Sequence, residues 1–403
     1  MDIPEISPER IAAARLAGAA HVTRTPVIES AALSQRVHGT IVLKAENLQR
    51  TGSFKVRGAL AKLGELGDAA AAGVTAGSAG NHAQALAFAA QVRGVPCEIF
   101  VPNGASISKT EATRAYGATV TMVGDSVDAA VAASKQLALS SGMHFCSPFD
   151  DPAIIAGQAG VGLEIAEDVR DLRRVIVPVG GGGLASGLAI ALKRHDPGIR
   201  VIGVQVAACA PYANQPPVDG PVTTLADGIA VKRPGIITGP LVEHWLDDLV
   251  VVDEDAVADA MMLLLDRAKL CVEGAGAVGV AALLSGKVAP ARNGTTCVVL
   301  SGGNVDLGVL PGLLRRHETR AGRRLIVFAR IPDRPGALAR LLTLFAERGA
   351  NLIEVEHVRE GVDLHVRETG VHVVLEVRDH HHADAVVGAA HEAGYEVTEG
   401  LSP

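Results

Sequence analysis

The stretch Val175–Lys193, VIVPVGGGGLASGLAIALK, decides how the rest of the chain is read. A β-branched run ends at Val179, the four glycines Gly180, Gly181, Gly182 and Gly183 follow, and a helical pattern starts near Leu184. Strand, glycine loop and helix in that order place free backbone N–H groups and the positive end of a helix dipole at a point the backbone approaches closely. The ligand such a point favours is a phosphate. The plainer reading, a tight strand-to-helix turn, needs only one glycine. No G-x-G-x-x-G spacing and no G-K-[ST] follows, so a dinucleotide fold and a P-loop both fit less well.

Outward from this segment, short Val/Ile-rich runs alternate with longer helical patterns. The expected strands are Thr40–Ala45, Cys97–Pro102, Ala118–Val123, Arg174–Val179, Arg200–Val206 and Thr296–Ser301. The expected helices between them include one closing on Gly94 and another closing on Gly142. Near-continuous apolar strands separated by helices indicate an α/β fold with parallel strands covered on both faces.

Two further strand ends resemble the first. In GVTAGSAGNHAQALAFAAQ, from Gly73, a short strand passes through Ser78, Ala79 and Gly80 into a helix starting at Asn81 and His82. That makes a second anion-binding helix start, although Ser78 and Asn81 also suit plain capping. In TTCVVLSGGNVDLGVL the buried strand ends at Ser301, and Gly302 and Gly303 allow close approach. Ligands of open α/β sheets sit at the carboxyl ends of strands, so the three ends are expected to share one crevice. Lys55, in ENLQRTGSFKVRGAL (Glu46–Leu60), completes the set. Most lysines are ordinary surface residues, but this one follows Gly52, Ser53 and Phe54 at a helix start. There its ammonium is disfavoured and its amine is available for Schiff-base chemistry, with Phe54 able to support a flat ring. A phosphate cradle, an amine and a polar strand end describe a site for pyridoxal phosphate.

Composition narrows the alternatives. Of 403 residues, 48% are apolar and 20% charged, with only 3% aromatic, so Ala, Val, Leu and Ile must build the core. A net charge of −7 gives no electrostatic case for nucleic acid or an anionic membrane as partner. No apolar run reaches the roughly 18–20 residues of a membrane span. The start, MDIPEISPERIAAARL, lacks the basic and apolar pattern of a secretory signal. Cys97, Cys146, Cys209, Cys271 and Cys297 are scattered without metal-ligand spacing and read as small buried groups in a reducing cytoplasm.

After Leu307–Gly322 the pattern changes to strand, helix, strand, strand, helix, strand, a small ferredoxin-like unit. The expected division is a domain over 1–315, with a small subdomain at about 40–145, a charged linker at 316–323 and a second domain over 324–403. DHHHAD (Asp379–Asp384) reads as a solvated loop rather than a metal site, and MMLLLD (Met261–Asp266) as helical core. Asp125 and Asp128 read as helix-start residues.

In order, GSFKVRGA, GSAGNHAQALA, GGGGLASG, EGAGAVG and LSGGNVD resemble the serine/threonine dehydratases of pyridoxal-phosphate fold-type II, the tryptophan synthase β-like enzymes. The resemblance covers essentially residues 1–315. IPDRPGALARLL followed by GANLIEVEH resembles an ACT regulatory domain, and the combination is similar to the threonine ammonia-lyases. The resemblance implies that Lys55 carries the cofactor, that Gly180 to Gly183 and Leu184 hold its phosphate, and that Asn81 meets the ring oxygen. It also implies that Phe54 packs on the ring, that Ser301 faces the pyridine nitrogen, and that Ser78, Ala79, Gly80, Asn81 and His82 bind the substrate carboxylate. Glu273 is expected near the ring.

Opposite a neutral Ser301 hydroxyl the pyridine nitrogen stays largely unprotonated. The ring is then a weaker electron sink, which favours prompt β-elimination over transamination. Two departures stand out. Racemases of the family carry a second serine in the S-x-G-N-H loop where this chain has Ala79. They also bind a divalent cation at positions occupied here by Gln205, Cys209 and Pro211, so no such metal is expected.

The implied activity is deamination of L-threonine to 2-oxobutanoate and ammonia, with L-serine as a further substrate. Serine or 3-hydroxyaspartate as the main substrate remains open, as does an inactive amino-acid sensor. ACT units usually pair, which implies a homodimer or homotetramer with an amino-acid effector, isoleucine or valine, between them.

Overall fold

The computed structural model describes residues 3–213, 218, 220–360 and 364–400. The chain divides into two compact units, Met1–Asp306 and Leu307–Pro403.

The first unit is built on two sheets. The larger has six strands in the order Val27–Glu29, Thr40–Lys44, Thr295–Val299, Leu172–Pro178, Arg200–Val206 and Asp248–Val252. Only the Val27–Glu29 pairing is antiparallel. The central strands are buried on both faces, as their unbroken Val/Ile runs require. The smaller sheet is wholly parallel, in the order Thr119–Met122, Cys97–Val101, Val74–Gly77 and His144–Phe145. Helix Asn81–Arg93 closes on Gly94 and helix Val127–Ser141 on Gly142 as expected, and both glycines are left-handed. Ser126 caps the latter helix and Asp128 lies in its first turn. Met261, Met262, Leu263 and Leu264 are buried helical core.

Thr40–Lys44 belongs to the larger sheet, so the small-sheet subdomain begins later than the expected residue 40. Its partner strand, Thr295–Val299, lies far along the chain, and no local pattern reveals that pairing. The strands Val27–Glu29, His144–Phe145 and Asp248–Val252 fall outside the expected set; two of them are too short to show a period.

A buried ionic network ties these parts together. Lys44 Nζ meets Glu164 Oε2 at 2.6 Å and the Thr25 carbonyl at 2.7 Å. The Arg57 guanidinium bonds Glu46 at 2.8 and 2.7 Å and Glu164 at 2.7 and 2.9 Å. Two acids balance two bases, and all four side chains are nearly inaccessible. Burial works against a charged Glu46, but Arg57 outweighs it and holds its carboxyl below the ordinary range. Arg57 sits two residues beyond Lys55 on helix Lys55–Leu66, so the network anchors the start of that helix.

In the second unit an antiparallel sheet runs Asn351–Val358, Glu368–Glu376, Arg324–Pro332, Glu396–Glu399. Helices Ala337–Glu347 and His380–Glu392 cover one face, giving the anticipated strand–helix–strand–strand–helix–strand order. The expected linker at 316–323 is instead the end of helix Leu310–Arg320 and its closing turn. DHHHAD is a helix start rather than a solvated loop. Asp379 is the N-cap, accepting from His382 N at 2.8 Å, and the His382 ring is buried against the Arg348 carbonyl. An Asp cap followed by a helical stretch was the signal for it.

Candidate active site

The three strand ends of the first unit converge on a cavity of about 1490 Å³. Lys55, Phe54, the Ser78–His82 loop, Gly180–Leu184, Glu273 and Ser301 all line it. Every sequence-derived candidate is therefore present in one place.

Lys55 is the first residue of its helix, and Phe54 N donates to the Ser301 carbonyl at 3.1 Å. Together with the bridge between Ser53 and Gly302, this bond stitches the lysine segment to the strand end carrying Ser301. Lys55 Nζ donates to the Pro148 carbonyl at 2.7 Å and stands 5.2 Å from the Phe54 ring centroid. Burial lowers its pKa to about 8, with the Glu273 carboxylate pulling the other way. Loss of water, more than the helix N-terminus, is what disfavours the ammonium here.

The tetraglycine loop is shaped from behind. Gly182 takes φ +91°, and a Cβ on Gly181 would fall 2.2 Å from the Phe149 ring. The Gly181 carbonyl accepts from the hydroxyls of Tyr212 at 2.9 Å and Thr238 at 2.6 Å. Asp150 in turn accepts from the N–H groups of Ile236, Ile237 and Thr238, steadying Thr238. Gly182 is the N-cap of helix Gly183–His195 and has no side chain to satisfy the first-turn N–H groups. Those donors line the cavity. Gln205, one of the positions where metal-binding relatives differ, has its amide engaged by the Val179 carbonyl and Tyr212 N–H. Among the described residues no group of three or more His, Cys, Asp or Glu side chains is placed to hold a metal ion.

Opposite the glycine loop, Asn81 is fixed at both ends of its amide. Its Nδ2 donates to Glu273 Oε1 at 2.7 Å, and its Oδ1 accepts from Asn304 Nδ2 at 2.7 Å. Asn304 also donates to the Thr51 carbonyl at 2.8 Å. Asn81 Nδ2 therefore keeps one hydrogen for a ligand. Burial pushes Glu273 up to about 7, helped by Asp227 and opposed by Lys109, Asn81 and Lys55. His82 is buried with Nε2 at 3.0 Å from the Cys146 carbonyl. Burial, then Lys55, lowers its pKa to about 3, so it is a neutral support for the loop at physiological pH. Ser78 Oγ accepts from Gly80 N, and Ala79 presents only a methyl group.

These residues fit pyridoxal phosphate. The uncapped N-terminus suits a phosphate, the partly neutral amine an aldehyde, and the buried Ser301 hydroxyl a ring nitrogen. Gln158 Oε1, also on the cavity wall, is buried with no partner. Residues 19–302 match the family described as pyridoxal-phosphate dependent enzyme.

The chain belongs to that family. It uses pyridoxal 5′-phosphate, and residues 325–394 form an ACT domain. It is 44% identical over 93% of its length to a Geobacter sulfurreducens protein named L-threonine ammonia-lyase, covering 94% of that relative. A Thermotoga maritima protein of the same name is 42% identical, covering 93% of this chain and 95% of the relative. The chain belongs with these threonine ammonia-lyases. Among solved structures, the T.th. threonine deaminase superposes with TM-score 0.70 at 37% identity, over 75% of this chain and 99% of that one. Maize serine racemase gives 0.72 at 34% identity, over 77% and 98%.

Sequence reasoning missed Asn304, Tyr212 and Thr238. Asn304 stands inside LSGGNVD, where nothing local marks its role. Tyr212 and Thr238 lie in segments with no pattern of their own.

Proposed function

We propose that this protein deaminates L-threonine to 2-oxobutanoate and ammonia, with L-serine as a further substrate. The observation that carries the reading is that the Lys55 amine, the uncapped helix start at Gly182 and the Ser301 hydroxyl line one cavity. The names of the relatives identify threonine as the substrate to test first.

The cofactor supplies an electron-withdrawing ring conjugated to the substrate's nitrogen. The N–H groups at Gly180–Leu184 would hold its phosphate, the remaining Asn81 Nδ2 hydrogen would be available to its ring oxygen, and Phe54 would support its ring. The Ser301 hydroxyl would serve its ring nitrogen and would bring no charge. N–H groups of the Ser78–His82 loop hold the substrate carboxylate at the start of helix Asn81–Arg93. Lys55 Nζ takes the Cα proton, and a pKa of about 8 suits it to accept and return protons near neutrality. Ala79 has no hydroxyl with which to deliver a proton from the opposite face, which favours elimination over racemisation.

We also place the protein in the cytoplasm as a homo-oligomer regulated by an amino acid. Cys97, Cys146, Cys209 and Cys297 are free and buried, which suits a reducing compartment. Among the described residues, no helix is long and apolar enough to cross a membrane. In the ACT domain the edge strand Asn351–Val358 exposes Leu352, Ile353 and Val355, which supports pairing of two ACT units.

An absorbance spectrum of the purified protein, followed by addition of L-threonine, tests the activity. A band near the visible edge that changes on addition, with 2-oxobutanoate released, is the expected result. A colourless protein that stays inert with added pyridoxal phosphate would overturn the reading.

A further inference from the structure

We propose that Gln158 is a positioning residue for the Lys55 amine: its side-chain oxygen is where Nζ draws back whenever it is not bonded to the cofactor. The proposal rests on the activity proposed above and adds a residue to it.

Gln158 lies on helix Pro152–Asp168, which packs against helix Lys55–Leu66. Two ion pairs fix how these helices run. At one end Lys62 Nζ meets Asp151 Oδ2 at 2.7 Å, and at the other Arg57 Nη1 meets Glu164 Oε1 at 2.7 Å. Falling numbers on one helix meet rising numbers on the other, so the pair is antiparallel. Two turns of an α-helix take about seven residues. Two turns back from Lys62 is Lys55, and two turns on from Asp151 is Gln158, so these two residues come level. Both line the catalytic cavity.

The helices are close here because glycines face each other. A Cβ on Gly157 would fall 2.6 Å from the Arg57 carbonyl, and one on Gly58 would fall 2.4 Å from Gln158 Nε2. Gly58 thus makes room for the Gln158 amide about one turn beyond Lys55. Gln158 is 1% exposed, and its Oε1 is buried with no hydrogen-bond partner. A buried carbonyl oxygen without a donor is costly, and folded proteins keep few of them. The Lys55 amine is the donor that the helix register brings level with it.

A neutral amine has two N–H donors and one lone pair. The Pro148 carbonyl takes one N–H, at 2.7 Å. With Gln158 Oε1 taking the other, the lone pair turns away from both wall acceptors, into the cavity and toward the Cα proton. Once Nζ has taken that proton, the same oxygen steadies the ammonium, because hydrogen bonds from a charged donor are the stronger ones. Of the other charged groups around Lys55, Glu273 and His82 act on it electrostatically across the cavity. Asp151 is paired with Lys62, Glu164 with Arg57 and Lys44, and Lys109 with Asp227, while Asp150 accepts from backbone N–H groups. A substitution at Gln158 alters none of these.

The test compares full-length wild type with Gln158→Leu, which roughly keeps the volume but removes the acceptor, and Gln158→Glu, which keeps an acceptor. The measurements are denaturant melts, kcat and KM for L-threonine, and kcat against pH. Gln158→Leu should unfold at or above the wild-type midpoint, because it removes a buried group that has no partner. Its kcat should fall by about 10–100-fold, with KM within about twofold. Gln158→Glu should recover most of the lost rate, and the acid limb of its profile should move to higher pH, since a carboxylate favours the ammonium. Wild-type kcat in Gln158→Leu overturns the role. So does a loss of kcat matched by a lowered midpoint in both variants with the acid limb unmoved, the result a packing residue gives. Wild type that binds pyridoxal phosphate yet leaves threonine unchanged overturns the proposed activity and this role together.

Discussion

The catalytic cavity and the ACT sheet solve opposite problems. Beside its exposed surface pairs, the catalytic unit holds one set of charged groups that is buried and mutually satisfied. Arg57, Lys44, Glu46 and Glu164 form a closed network, and Asn81 is held by both Glu273 and Asn304. Among the described residues, the ion pairs of the second unit are all at least partly open to water. Arg359 and Asp333, at 2.9 Å, remain 60% and 45% exposed, and every residue of strand Asn351–Val358 except the last is exposed. Exposed pairs contribute little, whereas breaking a buried one leaves an uncompensated charge. The first unit thus fixes one geometry from within, and the second leaves surface for something else to complete.

The largest expected effect tests that rigidity. Arg57→Ala leaves Glu46 and part of Glu164 without a counter-charge and should lower unfolding free energy by about 3–5 kcal/mol. Removing Arg330, whose partner Glu396 is mostly exposed, should change it by at most about 1 kcal/mol. Denaturant melts of the two variants measure the contrast directly, and equal losses would abolish it.

Glu273 gives the pH-dependent form of the same idea. The folded, cofactor-free chain holds the Glu273 proton up to about pH 7, against an ordinary value of 4.5. Its contribution to stability is therefore complete below about pH 4.5 and is lost as pH rises through about 7. Glu273→Gln keeps an oxygen for the Asn81 amide and removes the titration. The variant should be more stable than wild type by about 2–3 kcal/mol at pH 8, with the difference vanishing near pH 4.5. Lys55 acts in a separate window. Its pKa is lowered from 10.5 to about 8, so its contribution grows as pH rises between those values. Thermal melts across pH 4–10 separate the two slopes.

Asn304 is the third step down. It touches Asn81 and Thr51 and serves to aim the Asn81 amide. Asn304→Ala should lower kcat by about 10–100-fold with KM little changed, and should shift the absorbance of the bound cofactor, since its ring oxygen loses an aligned donor. A variant with normal kcat and an unshifted band would make Asn304 a purely structural residue.

What was legible in the sequence follows chain distance. Lys55, the tetraglycine loop, the Asn81 helix start and Ser301 each sit in a local strand–loop–helix pattern, so a short window displays them. The chain of contacts behind them does not. Asn81 and Glu273 are 192 positions apart, and Asn81 and Asn304 are 223 apart. The same reason hid the place of Thr40–Lys44, which reads as any strand until Thr295–Val299 pairs with it. The pKa of Lys55 follows the direction its sequence setting implies, but its main cause, burial, depends on walls contributed by distant segments such as Pro148. In the ACT domain the alternation of the strands was plain, yet nothing local showed that helix Leu310–Arg320 lies along the sheet face opposite the two covering helices.

The smallest expected change in stability probes the open side of the comparison. Ile353 is 55% exposed on the edge strand, so Ile353→Lys removes little buried area. It should shift the stability of one chain by at most about 0.5 kcal/mol. A lysine on an unpaired strand edge nevertheless opposes pairing with a second copy, because two such charges meet across a symmetric interface. Light scattering should therefore report a smaller assembly for this variant, while the deamination rate without an amino-acid effector is unchanged. If the mass stays that of wild type, the copies associate through the catalytic unit, and the exposed strand has some other role. If mass and basal rate fall together, the catalytic cavity depends on the pairing, and the self-sufficiency argued for its buried network fails.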